Sequence, residues 1–294
     1  MDKEILDKLH ERLANGEISE ETYKEIKARY EKQEQVEAEE PDEEFEEFEE
    51  VEEKKEVGEK ESKTKRIKLS GASAIEECNC VYFSSSGASK VKGNMRADEA
   101  NISGATKVQG NADVGELDSS GSLKVMGKTK AKKMDLSGAS KFMKKVKTDK
   151  LSSSGSTKFM DDLEGKRITV SGAFKAEKNI KSGTFKASGV FDIKGTLEGE
   201  EIMLKPGGSS CHIGKIKGGD ILVESGGGGL FSFGRGGSLK VEEITGDEIY
   251  LENTTAKLVK GKNVKIGPGC SIDKLVAEEM KIHESSSVKE KKQL

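Results

Sequence analysis

The chain has 294 residues, of which 33% are hydrophobic, 35% are charged, 34 are glycine and three are proline, with a formal net charge of −4. This composition excludes a collagen, and the absence of any run of about 18 apolar residues excludes a membrane-spanning helix. Four cysteines in so long a chain do not make a disulfide scaffold, and the N-terminus carries no apolar signal segment, so the sequence predicts a cytoplasmic protein.

Residues 1–33 predict a small helical hairpin. Asn15-Gly16 favours the end of a first helix, and Ser19 is a good N-cap for a second. The apolar residues of both helices recur at helical spacing: Ile5, Leu6, Leu9 and Leu13, then Tyr23, Ile26 and Tyr30. A hairpin of this size is too small to bury a stable core alone. The segment LHERLANGEISEETYKEIKARY resembles the SHOCT family of short helical modules, which implies oligomerisation or docking.

Residues 34–64 are strongly acidic. Between positions 34 and 61 there are sixteen Asp or Glu residues and three Lys residues. Repelling carboxylates surround the few apolar side chains, which favours a solvated, disordered linker. An acidic motif that binds a partner is the alternative.

The main body of the chain is a repeat that is marked by Ser-Gly pairs. Successive glycines recur at a nearly constant interval of about 17 residues, and a serine precedes each one. These predicted corner glycines are Gly71, Gly87, Gly104, Gly121, Gly138, Gly155, Gly172 and Gly189. Eight such pairs in sequence make a repeat architecture the first hypothesis.

Apolar residues lie at even offsets from each glycine, which is the periodicity of a β-strand. Four residues after the glycines stand Ile75, Val91, Val108, Val125, Phe142, Phe159, Ala176 and Ile193. A unit of about 17 residues is too short for two helices but fits one turn of an all-β solenoid, with like residues aligned in rows about 4.8 Å apart. The sequence predicts about thirteen turns over residues 65–284, followed by a polar, frayed tail at 285–294.

Two details of the solenoid are predicted at the same time. Glycine at the corners would permit a positive φ angle, and the serine hydroxyl would satisfy a corner amide. Phe142 and Phe159 would stack on adjacent turns. The glycine-rich stretch Ser225–Gly237 is predicted to be a flexible loop or an end feature.

Three segments resemble the bactofilins, the polymer-forming cytoskeletal proteins: SGASKVKGNMRADEANISGATKVQG, SGVFDIKGTLEGEEIML and GDEIYLENTTAKLVKGKNVKIGPGCSID. The resemblance covers about three quarters of the chain. It implies a right-handed, roughly triangular β-helix that assembles end to end into filaments without nucleotide.

The ends of a solenoid expose unpaired backbone groups and core side chains, so they can template another chain. The candidate polymerisation contacts are Ile67 and Leu69 at one end and Leu275, Val276 and Ile282 at the other. The alternative is that these residues only form core.

A row of lysines is the second candidate surface. Three residues after each central glycine stand Lys90, Lys107, Lys124, Lys141, Lys158 and Lys175. Aligned ammonium groups would attract an anionic partner such as a lipid surface or the acidic linker, or would form only a solvated face. Nucleic acid is a poor fit because no aromatic residues alternate with the lysines.

The sequence gives catalysis little support. Cys78 and Cys80 form a CxC pair whose side chains share one face of a strand, so inward packing explains them better than a metal does. No P-loop occurs, and no histidine lies in a nucleophile motif. One segment, Val264 to Asp273, resembles a turn of a hexapeptide-repeat acyltransferase, but the main array repeats at a much longer interval than a hexapeptide.

The sequence therefore predicts a non-enzymatic scaffold without cofactor or metal, whose main partner is a second copy of itself. The N-terminal helices would recruit a protein or an anionic membrane surface. The alternative of a different class is a monomeric solenoid that binds anionic partners through its lysine face.

Overall fold

The computed structural model describes residues 65–207, 210–225 and 237–294. The predicted helical hairpin and acidic linker lie outside these residues, as do residues 226–236 of the glycine-rich stretch. The SHOCT-like module therefore stays a prediction.

The first part of the described chain alternates between strands in two columns. The first column holds β1 (Arg66–Leu69), β3 (Cys78–Ser85), β5 (Met95–Ile102), β7 (Ala112–Ser119), β9 (Thr129–Leu136), β11 (Val146–Ser153) and β13 (Leu163–Val170). The second column holds β2 (Ser73–Ile75), β4 (Ala88–Val91), β6 (Ala105–Val108), β8 (Ser122–Val125), β10 (Ala139–Phe142), β12 (Ser156–Phe159) and β14 (Ala173–Ala176).

From residue 180 onward the strands are longer, because each continues through a corner of its coil. They are β15 (Ile180–Pro206), β16 (Ser210–Val223), β17 (Ser238–Leu251), β18 (Thr254–Ile266), β19 (Ser271–Ile282) and β20 (Ser287–Gln293). Neighbouring coils pair in parallel throughout the described residues.

The predicted solenoid of about thirteen turns is confirmed. Val91 pairs with Val108, and Val108 pairs with Val125, so equivalent residues of successive repeats form continuous rows. Through most of the array each strand pairs with the strand exactly one repeat later, as in the pairing of Leu117 with Met134. A parallel ladder with this offset requires the chain to complete one full turn between paired strands. This arrangement defines a β-solenoid.

The core is narrow and consists of inward-facing rows. Phe142 and Phe159 are fully buried and stack with ring centroids 5.1 Å apart and planes 9° from parallel, as predicted. Phe159 also contacts the ring of Phe174 at 5.6 Å. Because each core side chain packs against its equivalents in the coils above and below, burial depends on the stack and not on any single coil.

The corner glycines are required mainly for a different reason from the predicted one. Of the eight, Gly71 and Gly189 have positive φ angles, of 73° and 107°. At the six positions between them, an added Cβ would lie 1.9–2.2 Å from the carbonyl oxygen of the corner glycine one coil earlier. Glycine is therefore needed there because the corner backbones of successive coils touch.

The corner serines also act differently from the prediction. The Ser103 hydroxyl donates to the carbonyl of Ser85 at 3.2 Å, and the Ser188 hydroxyl donates to that of Val170 at 3.4 Å. The predicted bond to a corner amide is therefore wrong for these two residues, which link neighbouring coils through carbonyl acceptors.

The predicted frayed tail is wrong. Residues 287–293 form β20, which pairs in register with β19 from Ser271 to Ala277. The pairing is possible because Val288 continues the apolar row above Ile272, so even this charged segment places one side chain against the core.

Buried hydroxyls within the core give a first stability prediction. The Thr129 hydroxyl is buried and has no hydrogen-bond partner in the described residues, whereas the Thr157 hydroxyl lies 2.7 Å from that of Ser153. We expect Thr129→Val to raise the free energy of unfolding by about 1 kcal/mol, because it removes an unsatisfied polar group at constant shape.

The matched variant Thr157→Val is expected to lower the free energy of unfolding by about 1 kcal/mol, because it leaves the Ser153 hydroxyl without that partner. Urea denaturation of the two variants measures both effects. A loss of stability in Thr129→Val would contradict the assignment of an unsatisfied hydroxyl.

Candidate functional site

The lysine row exists as predicted. Lys90, Lys107, Lys124, Lys141, Lys158 and Lys175 are direct neighbours in the pairing of the second strand column. Their Cα atoms are therefore separated by the spacing of adjacent strands, about 4.8 Å.

The row is neither uniformly exposed nor uniformly basic. Lys141 is only 7% exposed. The residue after Lys175 in the same row is Asp192, whose carboxylate lies 3.9 Å from the Lys175 ammonium group, and His212 follows at 3.4 Å from Asp192. The sequence prediction did not include Asp192 in this row, although its position one repeat after Lys175 places an acidic residue where the run of lysines ends.

The residues predicted to form the ends of the stack do not all lie there. Leu275 is fully buried and Val276 is 8% exposed, because both pair with β20, which covers them. They are interior residues, so their assignment as end contacts is wrong. Ile67 lies in the first described coil but is 6% exposed, whereas Leu69 and Ile282 are half-buried.

The structure identifies end residues that the sequence did not. The partly buried hydrophobic side chains that pack against the core are Leu69, Met280, Ile282 and Val288, all in the outermost coils. Leu294, beyond β20, is 62% exposed. Three apolar rows therefore continue to the outermost coils, whereas β20 places the polar residues Lys291 and Gln293 in the core rows of Leu275 and Ala277.

A groove of about 1390 Å³ runs across eight coils of the first strand column, from Arg96 to Gly219. The residues along the floor of the groove have small side chains, so this face of the solenoid is concave. An added Cβ at Gly165 or Gly199 would lie 3.0–3.2 Å from an isoleucine side chain.

The side chains that line the groove balance in charge, with seven basic and six acidic residues. Ion pairs join successive coils, with Lys147 2.8 Å from Glu164 and Lys166 2.8 Å from Asp149. Hydrogen bonds from Lys145 and Lys147 lower the pKa of Glu164. The groove therefore has no net preference for polyanions, and exposed pairs of this kind each stabilise the stack by roughly 0.2–1 kcal/mol.

The cysteines are packed in the core. Cys78 and Cys80 are buried with their Sγ atoms 3.5 Å apart, and the contact with Cys78 lowers the pKa of Cys80. Burial raises the pKa of Cys211 and of Cys270. In the part of the chain that the structure describes, no three His, Cys, Asp or Glu side chains are arranged to hold a metal ion.

The described residues also contain no helix with the length and apolar character that crossing a membrane would require.

Comparison with known proteins adds one distant relative. No family model and no solved structure match the chain. The chain is similar to an uncharacterized protein of Bacillus subtilis (strain 168), YhbF, with 39% identity over 101 residues. This match covers 34% of the chain and 42% of YhbF, so the chain spans less than half the length of that relative.

Proposed function

We propose that this protein is a non-enzymatic scaffold whose solenoids assemble through their ends into polymers without nucleotide. The observation that supports the proposal is the continuation of three apolar core rows to the outermost coils, at Leu69 and at Met280, Ile282 and Val288. Solenoid proteins that stay monomeric carry terminal repeats with a polar outer face, because a bare core end is a surface for association.

The strand edges support the same proposal. Among the described residues, no strand pairs with the outer edge of β1 or with the outer edge of residues 279–282 in β19. Exposed N–H and C=O groups along such edges accept a further strand at little cost, since the geometry for pairing already exists. The resemblance to the bactofilins, including a right-handed coil, points to the same end-to-end assembly.

Electron microscopy and sedimentation of the full chain at physiological salt, without nucleotide, test this function. We expect filaments or high-mass assemblies from the wild type. Ile282→Lys should raise the protein concentration needed for assembly by tenfold or more, because burying an unpaired charge at a junction costs well over ~1.4 kcal/mol.

Thr255→Lys is the matched control, because Thr255 is exposed on the side of the stack. Circular dichroism and the unfolding midpoint establish that both variants fold. A wild type that stays monomeric at high concentration would overturn the proposal, as would an Ile282→Lys variant that assembles like the wild type.

A second candidate is a monomeric binding module that uses the lysine row for an anionic partner. The register of six lysines favours it. It requires the same sedimentation experiment to show a monomer, and that monomer to bind vesicles containing phosphatidylserine with strong salt dependence.

A further inference from the structure

We infer that Cys78 and Cys80 form a redox-modification site, at which a peroxide converts the two thiols into a disulfide within one strand. The inference rests on the placement of these side chains and does not depend on the proposed assembly. Both residues belong to β3, and the four cysteines of the described chain are all in the thiol form.

The alternation of the strand brings the two sulfur atoms together. Cys78 and Cys80 both face the core, on either side of the exposed Asn79, and their Sγ atoms lie 3.5 Å apart. A disulfide has an S–S distance of about 2.05 Å, so the sulfur atoms need to approach by only about 1.5 Å. Residues two apart in a strand have Cα atoms about 6.6 Å apart, near the upper end of the range that disulfides span, so the bond can form without breaking the strand.

The two thiols differ in reactivity, which assigns their roles. The hydrogen bond from Cys78 is the main cause that lowers the pKa of Cys80. The positive charge of Lys65 and a hydrogen bond from the Ile67 N–H lower it further, while burial opposes them. Cys80 therefore supplies the thiolate that attacks the oxidant, and Cys78, already in contact with it, is the resolving thiol.

The position of the pair in the stack gives an oxidant access. On one edge, residues 78–80 pair with Met95–Ala97 of β5. On the other edge β1 begins at Arg66, which pairs with Tyr82, so no strand of the described chain pairs with residues 78–80 there. A segment held by one ladder opens more readily than an interior coil, and such openings let a small oxidant reach side chains that are only 2% and 5% exposed.

The reaction proceeds in two steps. The Cys80 thiolate attacks one oxygen of hydrogen peroxide and the O–O bond breaks, which gives a sulfenic acid at Cys80 and a hydroxide that takes up the proton released by the Cys80 thiol. The Cys78 sulfur then attacks the sulfenic sulfur, the S–S bond forms, and the sulfenic oxygen leaves as water with the Cys78 thiol proton. The thiols lose two electrons and two protons in total, and the peroxide is reduced to two water molecules. A dithiol reductant restores both thiols by exchange.

The other two cysteines are internal controls. The thiols of Cys211 and Cys270 donate to the carbonyls of Gly189 and Leu251 at 3.4 and 3.3 Å. Burial raises the pKa of both, so a smaller fraction of each is the reactive thiolate.

Peroxide treatment of the reduced full chain, followed by alkylation of the remaining thiols in denaturant and mass spectrometry of tryptic peptides, tests the inference. Cys78 and Cys80 fall in one tryptic peptide, residues 69–90. We expect this peptide to lose two hydrogen atoms and to resist alkylation until dithiothreitol is added. Its oxidation should be roughly tenfold faster, or more, than that of Cys211 and Cys270.

Single variants separate the two roles. Cys78→Ser should leave a sulfenic acid at Cys80 that dimedone traps, whereas Cys80→Ser should stay reduced under the same peroxide exposure. Cys270→Ser is the matched control and should form the disulfide at the wild-type rate. Circular dichroism and the unfolding midpoint establish that the variants fold.

The wild-type measurement decides the inference even where a variant fails to fold. A peptide that keeps both thiols, that proceeds to sulfinic acid without a disulfide, or that links only to a second chain would overturn the assignment.

Discussion

Gly138→Ala is expected to lower the free energy of unfolding by about 3 kcal/mol or more, although it adds a single methyl group. An added Cβ at Gly138 would lie 1.9 Å from the carbonyl oxygen of Gly121 and 2.6 Å from that of Ser120. Both atoms belong to backbone that is held by the strand ladder on either side, so neither can move away without breaking hydrogen bonds. Overpacking of this kind usually costs about 1–3 kcal/mol and more where only backbone can yield.

Two variants control for this effect, and urea denaturation measures all three. Ser137→Ala alters the exposed neighbour and should change the free energy of unfolding by less than about 0.5 kcal/mol. At Gly165 the added Cβ would meet the Ile168 side chain at 3.0 Å, and because that side chain can shift, Gly165→Ala should cost less than Gly138→Ala. Equal stability of Gly138→Ala and the wild type would show that the coils are farther apart at the corner than the structure has them.

Phe159→Ala is expected to lower the free energy of unfolding by about 3–5 kcal/mol, the usual cost of removing a fully buried aromatic side chain. Phe159 is fully buried between the rings of Phe142 and Phe174, at centroid distances of 5.1 and 5.6 Å. Removing it leaves a cavity between the rings of Phe142 and Phe174, and the neighbouring coils cannot collapse into it because the ladder sets their spacing.

The effect should be local, because each coil contacts mainly its neighbours. Amide hydrogen exchange is expected to accelerate most in β10, β12 and β14, and least in β18 and β19. Phe159→Leu, which keeps most of the volume, should cost less than about 1.5 kcal/mol. Uniform acceleration along the whole stack would contradict a stability that is built coil by coil.

The sequence by itself determined the class of fold and the side chains that share a row. A regular repeat of about 17 residues with apolar residues at even offsets allows only a coil of short strands. The stacking of equal coils then aligns Val91 with Val108 and Lys107 with Lys124. The same spacing predicted the contact between Phe142 and Phe159.

The tertiary structure decided how closely the coils approach and where the stack ends. Close contact between corner backbones explains Gly138, which has no positive φ angle, and no local pattern encodes that distance. Pairing of the charged β20 with β19 makes Leu275 interior and leaves Met280 and Ile282 at the end. The reason is that a repeat specifies which residues are equivalent, whereas the last coil is defined by strand pairing between segments, which a mainly charged sequence such as that of β20 does not reveal.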